Sequence, residues 1–426
     1  MKTFCGKTFA LVFCASFICF SVIFVGCDQS SGTSNLTAAK GPLPDKNVKG
    51  SVLNVAMTSA PDTIDPQKAL YSNSFELIGD MMDGLMQVAP DGSVQKALCQ
   101  EEIVSEDKCM YTFKLRKDAY WSNGDPVTAD DFVYGWQRAI DPSFGSEYYY
   151  IISDIAQIKN GVAIAAGNMD PTQLGVRAVD DYTLQVELST PVPFFEQLLY
   201  FCTFYPANRK FVESVGENYG TSPETFLCNG AFVLTEYEVD GSKIELIKNT
   251  AYYDAARVKL AGINYIVPDD YAQSLQMYKN GQLDLIELSG SQVAECQSSS
   301  EFRLIDSGFM FFLSINMEKE ACQNVHVRRA INLSIDRNKI TELLADGSKV
   351  SYTPVPAGYA YGEDGKDFTA PGVEFPQYCD YNPALAREEI RKAIAETGKN
   401  HFTVQLLTYK SGSTAELMKE IKRSVE

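Results

Sequence analysis

The sequence predicts a mixed α/β protein built in lobes, and three observations lead there. Short segments alternate apolar and polar residues with period two, helical segments with legible ends lie between them, and the two kinds do not follow a strict βαβ alternation. The part expected to fold, from near Gly50 onward, is about 375 residues long, more than one core serves, so two or three domains are expected. No internal repeat is visible in the sequence.

Tyr111-Thr-Phe113-Lys-Leu115-Arg116, Leu184-Gln-Val186-Glu-Leu188 and Ile244-Glu-Leu246 each read as a half-buried strand with one wet face. Thr128 and Asp131 form a T-x-x-D capping pattern before a helix over Phe132 to Ile140, whose Phe132, Trp136 and Ala139 share a face. Asn324 caps a helix through Val327, Ala330, Ile331 and Ser334. Asn382-Pro383 opens another through Ala386, Ile390 and Ala393, closed by Gly398. His401 begins a further strand.

The N-terminus sets the compartment. Lys2 and Lys7 precede an apolar run from Phe9 to Val25, the charged and apolar parts of an export signal. The run ends Phe24-Val25-Gly26-Cys27, with a small residue before cysteine as in the lipobox of bacterial lipoproteins, so residues 1–27 read as a signal with Cys27 carrying lipid. An uncleaved membrane helix is the alternative reading of the same run. Residues 28–49, rich in Ser, Thr, Gly, Pro and Asn, read as a flexible linker.

Net charge is −18, from 37 basic and 55 acidic residues, which argues against nucleic acid or anionic lipid as partner. Seven of eleven cysteines fall in the folded part, none in C-x-x-C spacing, and the only histidines are His326 and His401, so no metal or other cofactor is expected. No G-x-S-x-G, Walker loop or H-E-x-x-H occurs, and an enzyme is the least favoured class. The neighbouring carboxylates Asp130/Asp131 and Asp180/Asp181 are assigned to capping and turns, and His326, beside Arg328 and Arg329, to a solvated polar face.

The run Leu115-Arg-Lys-Asp-Ala-Tyr120-Trp-Ser-Asn-Gly124-Asp-Pro-Val-Thr128-Ala-Asp-Asp131-Phe-Val-Tyr-Gly135-Trp-Gln-Arg138 resembles the signature of the extracytoplasmic peptide-binding proteins of ABC importers, family 5 of the bacterial solute-binding proteins. Further landmarks stand in the family's order: Thr63-Ile-Asp65-Pro66, Asp83-Gly84-Leu85, Ala178-Val-Asp180-Asp181, Pro191-Val-Pro193-Phe194-Phe195, Asn229-Gly230-Ala231-Phe232, Gly281-Gln-Leu283-Asp284, and Asn324 through Arg337.

The resemblance implies a two-lobed periplasmic-binding-protein-like fold with an extra inserted domain: residues 50–82 and 206–308 as lobe I, 83–205 as the insertion, and 309–426 as a partial lobe II. In the oligopeptide branch, the acidic residue that meets the peptide's amino group lies downstream of where this chain stops. The implied function is an extracytoplasmic, lipid-anchored, monomeric protein that grips a peptide main chain and passes it to a membrane permease. The residues implied at the ligand are Tyr148, Tyr149, Tyr150, Glu287, Leu288, Ser289, Gly290, Phe309, Phe311 and Phe312. A disulfide is expected between Cys202 and Cys228. A dipeptide, haem or metal-chelate carrier, or a surface lipoprotein without transport, are the rival functions.

Overall fold

The computed structural model describes residues 40–408 and 412–426, except 46, 239, 242, 354, 360, 363, 364, 368 and 370–379; for 412–414 it describes the backbone alone. The signal, Cys27, linker residues 28–39 and Cys379 therefore lie outside the described residues. The chain divides after Glu287 into two compact units.

Unit 1 runs β1 (Val52–Ala56), α1 (Ser72–Met81), β2 (Met86–Val88), β3 (Val94–Lys96), β4 (Cys99–Val104), β5 (Met110–Leu115), α2 (Ala129–Ile140), α3 (Gly161–Ala165), β6 (Val176–Asp180) and β7 (Thr183–Glu187). It continues with α4 (Phe195–Leu198), α5 (Arg209–Val215), β8 (Phe232–Tyr237), β9 (Ile244–Lys248), β10 (Gly262–Ile266) and α6 (Tyr271–Lys279). One sheet has the order β1-β10-β9-β8, with β1 parallel to β10 and the other pairs antiparallel; the second, β4-β5-β7-β6, is wholly antiparallel. The first sheet takes strands from both sides of the second in sequence, so residues 99–187 are threaded into the interval between β1 and β8.

The three alternating segments form β5, β7 and β9 with the expected side inward: Tyr111, Phe113 and Leu115 are buried on β5. Helix α2 starts where the capping pattern places it. Asp131 Oδ2 accepts from the Thr128 backbone N–H at 2.8 Å and from the buried Trp121 Nε1 at 3.1 Å, which fixes the helix entry. Phe132, Trp136 and Ala139 are fully buried, and Trp136 Nε1 donates to the Phe204 carbonyl at 2.8 Å. One continuous apolar core runs through both sheets.

Sequence landmarks far apart in the chain meet here. Arg138, at the end of α2, forms a two-toothed pair with Asp65, 2.7 Å at one nitrogen and 2.5 Å at the other, and also donates to Gln67 at 3.0 Å. Asp83 is locked to Asn229: its N–H donates to Asn229 Oδ1 at 2.8 Å, while its carboxylate accepts from Tyr252 at 2.8 Å and Tyr253 at 2.6 Å. Beside them Gly230 lies so close to α1 that a Cβ would stand 2.6 Å from the Met82 nitrogen. These motifs therefore weld the scaffold.

Four expectations are corrected, the last at His326 in unit 2. Cys202 and Cys228 are free, buried thiols: Cys202 opens a short turn ahead of Tyr205, whereas Cys228 is held at Ser122 by bonds in both directions, 2.7 and 3.2 Å. Burial pushes both thiols up, Cys228 to about 12, so neither is a ready thiolate. Residues 40–45, expected as linker, are hydrogen-bonded to the body at two places. Residues 401–408, where a strand is expected to begin at His401, form none, and among the described residues no strand pairs with them.

Unit 2 holds α7 (Ser291–Cys296), α8 (Glu320–Gln323), α9 (Val325–Ser334), α10 (Arg337–Leu344), α11 (Pro383–Thr397) and α12 (Gly412–Val425). Asn324 and Asn382 cap α9 and α11, and Gly398 ends α11 at φ 70°, as the sequence reads. The apolar cluster between α9 and α11 is small: Ala330, Leu333 and Ala386, flanked by Leu385 and Ile390. His326 is not on a solvated face. Its Nδ1 lies 2.6 Å from Glu389, a fully buried carboxylate, and its Nε2 lies 3.1 Å from Glu396. Lys392, at 2.7 Å, also meets Glu389.

Candidate functional site

An aromatic cluster forms where α1 of the first sheet's layer meets the threaded-in region. Phe75 on α1, Tyr148 after α2 and Phe201 after α4 pack edge to face, with ring centroids 5.8 Å (75–148), 5.2 Å (75–201) and 5.0 Å (148–201) apart. Such pairs add about 0.5–1.5 kcal/mol each beyond their buried area, so the cluster is a firm platform. Helix α1 is itself pinned, since Ser74 Oγ donates to Asp62 at 2.6 Å and Asn73 Nδ2 to the Ser59 carbonyl at 2.9 Å.

Tyr150 continues the cluster at 6.0 Å from Tyr148, and Tyr149 stands 6.5 Å from Tyr150. Both are exposed, as are Tyr71 at the start of α1 and Tyr200 beside Phe201. The three expected tyrosines thus come together, Tyr148 as a half-buried base and the other two as its open rim.

On the same helix, one residue after Phe75, Glu76 faces like charge. Its carboxyl is pushed up to about 7 by the surrounding protein, then by Asp80 and Glu287. Because its side chain is exposed, repulsion from these like charges outweighs burial. Tyr265 donates its hydroxyl proton to Asp80, and burial followed by Glu287 raises Tyr271. The expected Glu287 therefore belongs to an acidic group near α1.

The remaining expected residues lie in unit 2. Leu288, Ser289 and Gly290 are partly exposed; the Ser289 N–H donates to Gln292 Oε1 at 3.2 Å, and Gly290, at φ 55°, begins α7. Phe309, Phe311 and Phe312 sit in a stretch outside any helix or strand, Phe311 90% and Phe312 82% exposed. Among the described residues no cluster of His, Cys, Asp and Glu is arranged for a metal ion.

Sequence reasoning missed Phe75, Glu76, Asp80 and Phe201. The density of aromatics from Phe194 to Tyr205 is a signal for the last, but nothing local links it to Phe75, which lies 126 positions earlier. Chemically, exposed rings suit a ligand with apolar surface, and the separate acidic group on α1 disfavours an anion beside it.

Residues 93–425 match the family described as bacterial extracellular solute-binding proteins, family 5. The probable deoxycholate-binding periplasmic protein YgiS of Escherichia coli is 36% identical over 67% of this chain and 53% of its own length. The periplasmic oligopeptide-binding protein OppA of Escherichia coli is 31% identical over 84% of this chain and 64% of its own length. The chain thus spans roughly half to two thirds of these curated relatives. Among solved structures, Listeria monocytogenes OppA bound to peptide superposes with a TM-score of 0.79 at 32% identity, covering 89% of this chain and 75% of that one. The scaffold motifs interlock, the mixed α/β class is the one read from the sequence, and the family match covers most of the chain: this protein belongs to the bacterial extracellular solute-binding proteins of family 5.

Proposed function

We propose that this protein captures oligopeptides outside the cytoplasm and delivers them to the permease of an ABC importer, working as a monomer anchored by lipid on Cys27. In this reading residues 50–82 and 206–308 serve as one lobe, 83–205 as an inserted domain and 309–426 as part of a second lobe. The observation that carries it is the aromatic rim of Tyr149 and Tyr150 over the Phe75–Tyr148–Phe201 platform, in a chain of this family. Rings supply contact area at little entropy cost, and the Glu76, Asp80 and Glu287 carboxylates favour a cationic amino group. Leu288, Ser289, Gly290, Phe309, Phe311 and Phe312 are the proposed contacts from unit 2.

A second reading, a bile-acid carrier, is favoured by the 36% identity to YgiS. The rings fit a steroid face, but the acidic group and the net charge of −18 oppose its carboxylate. Thermal unfolding separates the two. A mixed oligopeptide pool at about 100 times Kd stabilises the folded protein by about 2.7 kcal/mol and raises its Tm, while deoxycholate leaves it unchanged. A rise with deoxycholate and none with peptides would reverse the assignment.

A further inference from the structure

The described end of the expected linker is bound to unit 1. The Gly41 N–H donates to the Gly124 carbonyl at 2.6 Å, and the Asp45 N–H donates to Thr250 Oγ1 at 2.7 Å. Lys40 Nζ lies 3.7 Å from the half-buried Asp125; with Lys40 exposed, the pair adds little by itself.

The fit is steric as well as polar. Gly41 lies against the Tyr120 ring, where any Cβ would overlap ring carbons, and Gly124, at φ +83°, faces it with no room beyond 3.0 Å from the Gly41 oxygen. Two glycines thus permit a backbone approach that larger residues would block. The receiving turn is stiff. Trp121 N–H donates to the Asp125 carbonyl at 2.7 Å, Asn123 Nδ2 donates to Asp125 Oδ2 at 2.7 Å, and Ser122 is tied to Cys228.

We propose that residues 40–45 are a strap that fixes where the N-terminal anchor leaves the body, making the end of unit 1 that carries Tyr120–Asp125 and Thr250 its membrane-facing side. The proposal rests on the reading of Cys27 as the lipid-bearing residue. Lys40 is thirteen residues along from Cys27, a stretch that spans at most about 45 Å whatever its path. If the chain left the body only at Gly50, the limit would be about 80 Å. The strap therefore nearly halves the reach of the anchored protein and favours one orientation over the bilayer.

The test uses the full, lipidated chain on phosphatidylcholine vesicles and supported bilayers. The Gly41 and Asp45 amides exchange at least about tenfold more slowly than free peptide. Gly41→Val abolishes that protection at both while leaving the unfolding midpoint of unit 1 within about 2 °C, less than a 1 kcal/mol change would produce. Neutron reflectometry then finds the gap between bilayer and protein layer wider by about 10 Å or more in the variant. Free-peptide exchange in the unaltered protein, or an unchanged gap in the variant, overturns the strap. Failure of the unaltered chain to sediment with vesicles overturns the anchor and with it the membrane-facing role, while amide protection still judges the contact itself.

Discussion

Unit 1 and unit 2 are held together by different forces. Unit 1 interlocks two sheets around a continuous core whose largest members, Trp121, Trp136, Phe113, Phe132, Phe195 and Phe204, are sealed from water. In unit 2 the α9–α11 contact offers a small apolar cluster, Ala330, Leu333 and Ala386, and an ion cluster around Glu389. The difference teaches where each unit is fragile: shape in the first, charge in the second.

The largest expected effects come from striking each unit at its own support. Trp136→Ala costs unit 1 about 3–5 kcal/mol, because a large buried ring leaves a cavity and the Phe204 carbonyl loses its donor. Glu389→Gln costs unit 2 about 2–3 kcal/mol, since His326 and Lys392 lose charge-assisted bonds to a buried acceptor. Urea unfolding followed by hydrogen exchange resolves the two. The comparison breaks if Glu389→Gln melts both units together or leaves α9 and α11 as protected as before.

A smaller effect, with opposite signs in the two units, comes from pH. In unit 1, burial pushes Asp131 and Glu102 up to about 7, Glu102 also by repulsion from Glu196, and Glu76 reaches the same level. A carboxyl raised above its unfolded value holds its proton more tightly when folded, so its contribution is present at low pH and lost as pH rises through about 7. In unit 2 the balance is reversed. Although burial alone would raise Glu389, the bonds from Lys392 and His326 hold it low, and Arg423 and Lys339 bring Glu420 down to about 2. A depressed carboxylate stabilises above its unfolded value and is lost as pH falls. From pH 6 to 8 the Tm of unit 1 therefore falls by about 2 °C or more, while that of unit 2 drops only on acidification below about 4. Calorimetry across that range, with parallel shifts in both transitions, would sink the distinction.

The legible parts of the sequence were those governed by near neighbours. Strands β5, β7 and β9 announce their inward faces by alternation, and the caps at Thr128, Asn324, Asn382 and Gly398 use residues within a turn of the helix they serve. What stayed hidden depends on distant pairing. His326 meets partners 63 and 70 positions away, so a ring beside two arginines looked solvated. Gly41 looked like linker because its partner is the turn at Gly124. At the site, Tyr148, Tyr149 and Tyr150 came from the family resemblance, whereas Phe75 and Phe201 appear only once the fold brings α1 beside the 194–205 stretch. The resemblance also misled at Cys202 and Cys228, which are both free: a shared scaffold does not by itself bring two thiols within bonding geometry.

Hydrogen exchange read residue by residue, with and without a saturating oligopeptide pool, tests peptide capture most directly. The account predicts slower exchange at Tyr148–Tyr150 and in the first turns of α1 in unit 1, and at Phe309–Phe312 in unit 2, with the strap at Gly41 unaffected. Unchanged exchange at both the tyrosines and the phenylalanines, under peptide that demonstrably raises Tm, would place the ligand elsewhere and contradict the site.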